Sequence, residues 1–145
     1  MTILVTDTGF EEETQPLKWV PYLSGMTWPA GTCAAEIPAT TDPAQLAAHL
    51  DAIRYIRITF PTFRDGRGYT LARQLRLLGY RGHLRAAGNL LPDQYAIARQ
   101  VGFDVIELTP EQAACHPEVC WRLRADWPQH DYQARLGYNL VDIRK

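Results

Sequence analysis

Hydrophobic and polar positions follow two alternating periods along the chain, and this pattern predicts strands interleaved with helices. Residues 55–60 alternate apolar side chains with Arg57 and Thr59, a period of two that is typical of a strand with one buried face. Residues 68–78 instead repeat leucine and alanine at helical spacing, and Gly79 follows where a helix commonly ends. The same change of period recurs on both sides of this segment, so the chain predicts repeated strand–helix units.

Four such units account for most of the chain. Asp42-Pro43, Pro92 and the capping-box pattern from Thr109 to Gln112 each favour the first turn of a helix. Pro117 is expected to interrupt the last helix. The predicted strands are 34–37, 55–60, 83–87 and 103–108, and the predicted helices are 43–53, 68–78, 92–101 and 110–127. Shorter strands are predicted at 2–6, 18–23 and 136–143.

Strands that alternate with helices form a parallel sheet, because each crossover helix returns the chain to the edge at which the preceding strand began. The sequence therefore predicts one α/β domain over residues 1–145, with an irregular N-terminal arm over residues 1–31. Two architectures fit the pattern: an open doubly wound sheet, and a half-barrel built like four consecutive units of a (β/α) barrel. A half-barrel would expose a large apolar face and would need a second copy of the chain, as a homodimer, to cover it.

Composition argues against several classes of protein. Of the 145 residues, 46% are hydrophobic, which suffices for one packed core, but no run of eighteen apolar residues is present and no membrane association is expected. The first residues lack the basic and apolar regions of a secretory signal, which predicts a cytoplasmic location. Three cysteines are an odd count, and Cys115 and Cys120 lack a second ligand pair at zinc spacing, so neither a disulfide framework nor a metal site is predicted.

Charge is distributed unevenly. Residues 54–85 contain eight arginines, no lysine and the single acidic residue Asp65, whereas the flanking segments are acidic. Arginine suits bidentate contacts to carboxylates and to phosphate-like oxyanions. The alternative is a solvated helix face with acidic partners within the chain, and we expect Arg73 and Arg76 to belong to such a face. An isoelectric point near 6.4, with no recognised binding motif, argues against a nucleic-acid partner.

Ligands of parallel α/β sheets bind outside the carboxyl ends of the strands. This rule gathers loops that are distant in sequence, and it predicts a ligand-binding set of Arg64, Asp65, Gly66, Arg67, Gly68, Arg85, Asn89, Asp93, Gln94 and Glu107. The strongest segment is Arg64 to Gly68, because two glycines near a helix N-terminus let backbone N–H groups approach an anion.

Structural roles compete with binding at most of these positions. The segment from Arg64 to Gly68 also fits a tight turn with Asp65 as the helix N-cap, while Asp93 and Gln94 suit the first turn of a helix. Glu107 ends a strand, where it could act as a base or pair with Arg85 from the neighbouring strand. The sequence does not indicate a Ser-His-Asp or Cys-His arrangement, so no catalytic residue is assigned.

Two longer runs carry a family resemblance. The runs are Phe60-Pro-Thr-Phe-Arg-Asp-Gly-Arg-Gly-Tyr-Thr-Leu-Ala-Arg73 and Gly82-His-Leu-Arg-Ala-Ala-Gly-Asn-Leu-Leu-Pro-Asp-Gln94, followed by Gly102-Phe-Asp104. Over residues 35–125 the chain resembles the bacterial family DUF934, which is named for its unknown function. Genes of that family commonly lie beside those of assimilatory sulfite reductase, so the resemblance implies an accessory role in sulfite reduction. No flavin, haem or iron–sulfur ligand pattern is present, and no cofactor is expected.

Three hypotheses follow from these observations. The first is a non-catalytic accessory protein that binds sulfite reductase or a small oxyanion at the carboxyl edge of the sheet. The second is a small enzyme, oxidoreductase-like or lyase/isomerase-like, that uses Asp65, Arg67, Arg85 and Glu107 in a strand-end pocket. The third is a purely structural homodimer domain. We favour the first, because the sequence shows neither a nucleophile nor an acid–base pair.

Overall fold

A computed structural model describes residues 2–13, 17–22, 28–62, 64 and 66–124. It contains one seven-stranded sheet with short helices between the later strands. The strands are β1 Ile3–Thr6, β2 Gly9–Glu12, β3 Val20–Pro21, β4 Ala34–Pro38, β5 Tyr55–Phe60, β6 His83–Gly88 and β7 Val105–Leu108. The α-helices are α1 Pro43–Leu46, α2 Arg67–Leu77, α3 Tyr95–Val101, α4 Pro110–Cys115 and α5 Glu118–Arg122, and 3₁₀ turns lie at Ala47–Ala52 and Pro92–Gln94.

The sheet is mixed and mostly parallel, which confirms the predicted α/β class. Its strand order is β2-β1-β7-β6-β5-β4-β3, in which β3 to β7 are parallel neighbours in chain order. β1 runs antiparallel between β7 and β2. The predicted strands of the four units are therefore present. In the N-terminal arm, β1 and β3 lie within the shorter strands predicted at 2–6 and 18–23, and β2 was not predicted.

Of the two architectures that the sequence left open, the order of the strands favours consecutive (β/α)-barrel units over a doubly wound sheet. A doubly wound sheet reverses its strand order at a switch point, whereas β3 to β7 follow one another without reversal, as in consecutive units of a (β/α) barrel. Right-handed crossovers between sequential strands place all the connecting helices on one face. Burial agrees with this winding, since Ile56, Ile58 and Phe60 of β5 are almost completely buried and the residues between them are only half-buried.

Local capping signals set the helix ends as the sequence predicted. The Asp42 side chain accepts a hydrogen bond from the Ala44 N–H, and Thr109 and Gln112 form a reciprocal capping box at the start of α4. Gly79 and Gly102 end α2 and α3 with positive φ angles of 96° and 119°. Pro117 separates α4 from α5, so the predicted break in the last helix is confirmed.

The face of the sheet away from the helices is polar at its centre. Charged side chains of β4 to β7 meet there and are joined by Glu13 and Trp19 from the N-terminal arm. The large apolar face expected of a half-barrel is therefore not what the described residues form. The predicted strand at 136–143 lies outside the described residues. None of the helices in the described part of the chain combines the length and apolar character needed to cross a lipid bilayer.

Candidate functional site

Five charged side chains form a continuous ion-pair network on the polar face of the sheet. Arg57 of β5 donates through Nη2 to Glu36 at 3.0 Å and through Nη1 to Glu107 at 3.0 Å. Glu107 also accepts from Nη1 of Arg85 at 2.9 Å, and the same Nη1 donates to Glu13 at 3.1 Å. The network therefore links the N-terminal arm to β4, β5, β6 and β7.

Trp19 covers the two arginines of this network. Its ring centroid lies 4.5 Å from the guanidinium carbon of Arg57 and 5.1 Å from that of Arg85, within the range of cation–π attraction. The Arg85 side chain is only 4% exposed. The Nε atoms of both arginines are buried, and neither has a hydrogen-bond partner in the described part of the chain.

Arg85 and Glu107 pair with each other, which is the structural role that the sequence analysis gave as the alternative to catalysis. Both residues lie within their strands, and their charges are compensated by immediate neighbours. Both carboxylate oxygens of Glu107 are engaged by guanidinium groups, Oε1 by Arg57 and Arg85 and Oε2 by Arg57. The geometry therefore favours a structural role for this pair over a catalytic one.

His83 begins β6 on the same face, beside the ring of Tyr55. Its Nε2 is buried and has no hydrogen-bond partner among the described residues. Burial lowers the pKa of this imidazole below its ordinary value of 6.5, Asp104 opposes the shift, and Arg85 and Arg76 add to it. The folded protein therefore holds His83 neutral at a pH where the unfolded chain binds a proton.

This difference predicts a loss of stability in mild acid. The lowered pKa means that the unfolded state binds more protons below about pH 6.5, so the free energy of unfolding should fall as the pH drops through that value. The slope is at most about 1.4 kcal/mol per pH unit for one group. The free energy of unfolding can be measured with urea at several pH values between about 5 and 7.5. We expect it to change less steeply with pH for His83→Gln than for the unmodified protein. Equal slopes for the two proteins would contradict the assignment.

The arginine- and glycine-rich loop leads into the first turn of α2. Gly66 occupies the N-cap position and supplies no capping side chain, and Arg67 is exposed. Gly68 is buried under Phe60, whose ring carbon would lie 2.3 Å from an added Cβ, so the helix approaches β5 too closely for any larger residue. Asp65 was expected either as a ligand-binding residue or as the N-cap of this helix; the N-cap is Gly66, so the second expectation is wrong, and Asp65 itself lies outside the described residues.

A cleft of about 690 Å³ lies beside this helix start, on the helix side of the sheet. It is lined by Thr40 and Thr41 after β4, and by Gly66, Arg67 and Thr70 at the start of α2. Neither Arg85 nor Glu107 lines it. The structure thus gathers part of the predicted set at the carboxyl edge, but it separates Arg67 from the Arg85–Glu107 pair on the other face.

The remaining predicted residues make contacts that organise the strand-end loops. Asn89 follows β6 and donates from Nδ2 to the Pro61 carbonyl at 2.8 Å. The Gln94 side chain accepts from the Leu91 N–H at 2.9 Å, which caps the turn before α3. Asp93 is exposed and pairs with Arg124 at 2.6 Å. The contacts of these three residues brace or cap the loops. Their predicted role in ligand binding stays a prediction.

One prediction about the arginines is wrong. Arg76 was expected on a solvated helix face, but it is 3% exposed and donates to the carbonyls of Gly102, Tyr80 and Gly82 as well as to Asp104. The expectation followed from its charge, although helical spacing places Arg76 on the buried side of α2, four residues after Ala72. A guanidinium can be buried there because its donors meet several carbonyl oxygens at once.

Sequence reasoning also missed Arg57, Glu36, Glu13 and Trp19 as parts of the charged network. A usable signal existed for the first two, since alternation in β4 and β5 places Glu36 and Arg57 on the face opposite the buried positions. Their register as direct partners, and that of Arg57 with Arg85, follows only from the strand order. Among the described residues, no group of three or more His, Cys, Asp or Glu side chains is placed to hold a metal ion.

The fold and this site define a class of protein: an α/β domain with sequentially wound parallel strands, a charged network on its open face and clefts at the carboxyl edge. Comparison with protein families identifies the chain within that class. Residues 34–139 match the family described as bacterial protein of unknown function (DUF934), and the chain belongs to that family. Searches of curated proteins and of solved structures found no match.

Proposed function

We propose that the protein is a non-catalytic, cytoplasmic accessory component of assimilatory sulfite reduction, which binds sulfite reductase or a small oxyanion. The binding surface is the carboxyl edge of the sheet around the start of α2. The connection to sulfite reduction comes from the gene neighbourhood of the family that the chain resembles. The position and chemistry of the surface come from the residues that line the cleft beside α2.

The observation that carries this proposal is the cationic start of α2. The first N–H groups of a helix have no partners within the helix and bear the positive end of its dipole. Gly66 offers no capping side chain at this end, while Arg67 and the hydroxyl-bearing residues Thr40, Thr41 and Thr70 line the same cleft. Backbone N–H groups, hydroxyls and a guanidinium together suit an oxyanion or a surface carboxylate.

Engagement of the Arg85–Glu107 pair supports a binding role over the enzymatic alternative. The alternative places Asp65, Arg67, Arg85 and Glu107 around one pocket. Arg67 instead lines the cleft beside α2, while Arg85 and Glu107 pair with each other beneath Trp19. A catalytic site built from this set would need Arg85 and Glu107 to leave their ion pairs.

Charge reversal at one edge tests the proposal. Immobilised protein is expected to retain purified sulfite reductase at low ionic strength, and to release it as salt screens the contact. Arg67→Glu should weaken retention by about tenfold or more, because it places a like charge against the acidic groups expected on the partner.

Arg81→Glu is the matched control. Arg81 is exposed just before β6, at the opposite edge of the sheet, so the substitution changes the net charge equally without touching the start of α2. Its retention should equal that of the unmodified protein. Absence of a complex at low salt, or equal loss in the two variants, would refute the proposed surface.

A further inference from the structure

A second cleft at the carboxyl edge has a different chemistry from the one beside α2. It has a volume of about 510 Å³, within the range of small-molecule sites. Its walls come from the loops that follow β5 and β6, from α4 and from the residue after α4. Pro61, Leu90 and Leu91 supply apolar surface, and Cys115 and His116 border the opposite side. The cleft therefore lies where ligands of parallel α/β sheets bind.

Hydrogen bonds between the loops fix the walls of this cleft. Asn89 Nδ2 donates to the Pro61 carbonyl at 2.8 Å, which joins the loop after β6 to the loop after β5. Gln112 Nε2 donates to the Gly88 carbonyl at 2.6 Å, while its Oε1 accepts from the Thr109 N–H at 2.9 Å. The two amides that line the cleft are thus committed to the loops, so the space they enclose is preformed and mainly apolar.

The charge of the lining residues indicates which kind of ligand the cleft can bind. The described residues that line the cleft include no lysine or arginine, and Glu111 is their one carboxylate. An oxyanion in the cleft would meet no lysine or arginine and would be repelled by the carboxylate of Glu111. An uncharged, apolar molecule gives up little hydration free energy when it leaves water for the cleft. The apolar cleft and the cationic cleft beside α2 therefore select opposite kinds of ligand.

We propose that the cleft between Leu91 and Cys115 binds a small, uncharged and mainly apolar molecule of about the size of a substituted aromatic ring. Its apolar part lies against Pro61, Leu90 and Leu91, and its open side faces Cys115 and His116. This site goes beyond the oxyanion-binding role proposed above and does not depend on it.

Cys115 provides a reporter because it is exposed and lines the cleft. Thiols add across the double bond of a maleimide with no leaving group, so the rate reports how each reagent approaches the sulfur. The probes are N-phenylmaleimide and N-(2-hydroxyethyl)maleimide. Peptide mass spectrometry assigns the label to Cys115, and the rate of each reagent at Cys115 is divided by its rate with glutathione. Binding of the phenyl ring in the cleft should raise the phenyl-to-hydroxyethyl ratio at Cys115 by at least about fivefold.

The double variant Cys115→Ser/Ala114→Cys is the matched control. Position 114 is exposed on the same helix, one residue earlier, and does not line the cleft. Its normalised ratio should be close to one. Leu91→Gln, with folding verified by its unfolding midpoint, should lower the ratio at Cys115 towards that of the control. An equal ratio at positions 114 and 115, or an unchanged ratio in folded Leu91→Gln, would overturn the site. These measurements use no sulfite reductase, so their failure leaves the oxyanion-binding proposal standing.

Discussion

Replacement of Arg76 by methionine is expected to lower the free energy of unfolding by about 3–5 kcal/mol. The guanidinium is almost completely buried and donates hydrogen bonds of 2.8–3.0 Å to the carbonyls of Gly102, Tyr80 and Gly82 and to the Asp104 carboxylate. Methionine retains much of the side-chain volume but leaves three carbonyls and a carboxylate without these donors. Urea unfolding measures the change.

Arg73→Met is the control for this prediction. Arg73 lies on the same helix, three residues earlier, and is only half-buried. The same chemical change there should cost less than about 0.5 kcal/mol, as is usual at partly exposed positions. If the two variants lose equal stability, the loss reflects the helix and not the contacts of Arg76. Asp104→Asn should fall between them, because it removes the charge but keeps an oxygen that can accept from the Leu84 N–H.

Replacement of Gly88 by alanine is expected to destabilise the fold by about 2–5 kcal/mol. Gly88 ends β6 with a φ of 111°, a conformation that alanine adopts only under strain. An added Cβ would also lie 2.3 Å from the carbonyl oxygen of Phe60, which is backbone and cannot rotate away. The two strands would have to separate at the carboxyl edge, where both proposed clefts are built. Thermal or urea unfolding measures the loss.

Gly79→Ala separates the two causes of this effect. Gly79 has a similar φ of 96°, but an added Cβ there would meet nothing within 4 Å. Its cost should therefore be only the conformational strain, about 1 kcal/mol. A loss at Gly79 as large as that at Gly88 would show that the close approach to Phe60 contributes nothing.

Local signals made the strands and helices of the repeated units predictable. The alternation in β5, the leucine spacing of α2 and the proline or capping residues at helix starts each act within a few residues, so they are legible in one sequence. The hairpin of β1 and β2 was missed because only its first strand was predicted, while the second is short and ends in two glutamates. The turn between them, Asp7-Thr8 before Gly9 with a φ of 125°, was the available signal.

The candidate site was less predictable because its contacts depend on which strands are neighbours. Asn89 and Arg67 both lie at the carboxyl edge, but they line two different clefts, and ligand binding by either residue stays a prediction. Arg85 and Glu107 lie on the polar face instead, because a side chain within a strand takes its direction from the strand alternation and not from the nearby loop. Burial of Arg76 depends on the carbonyl oxygens of Tyr80 and Gly82, just after its own helix, and on that of Gly102 in a distant turn, which no side-chain pattern reveals.

The placement of β1 has a consequence for how the chain acquires its structure during synthesis. Ile3 pairs with Leu108 and Val5 with Ile106, so the first strand has no sheet edge to join until the seventh has been made. Contacts between such distant segments carry a large loop-closure entropy and slow the folding step that depends on them. The opening hairpin must therefore wait while nearly all the described polypeptide leaves the ribosome. We expect docking of this hairpin to be the last event in assembly of the sheet.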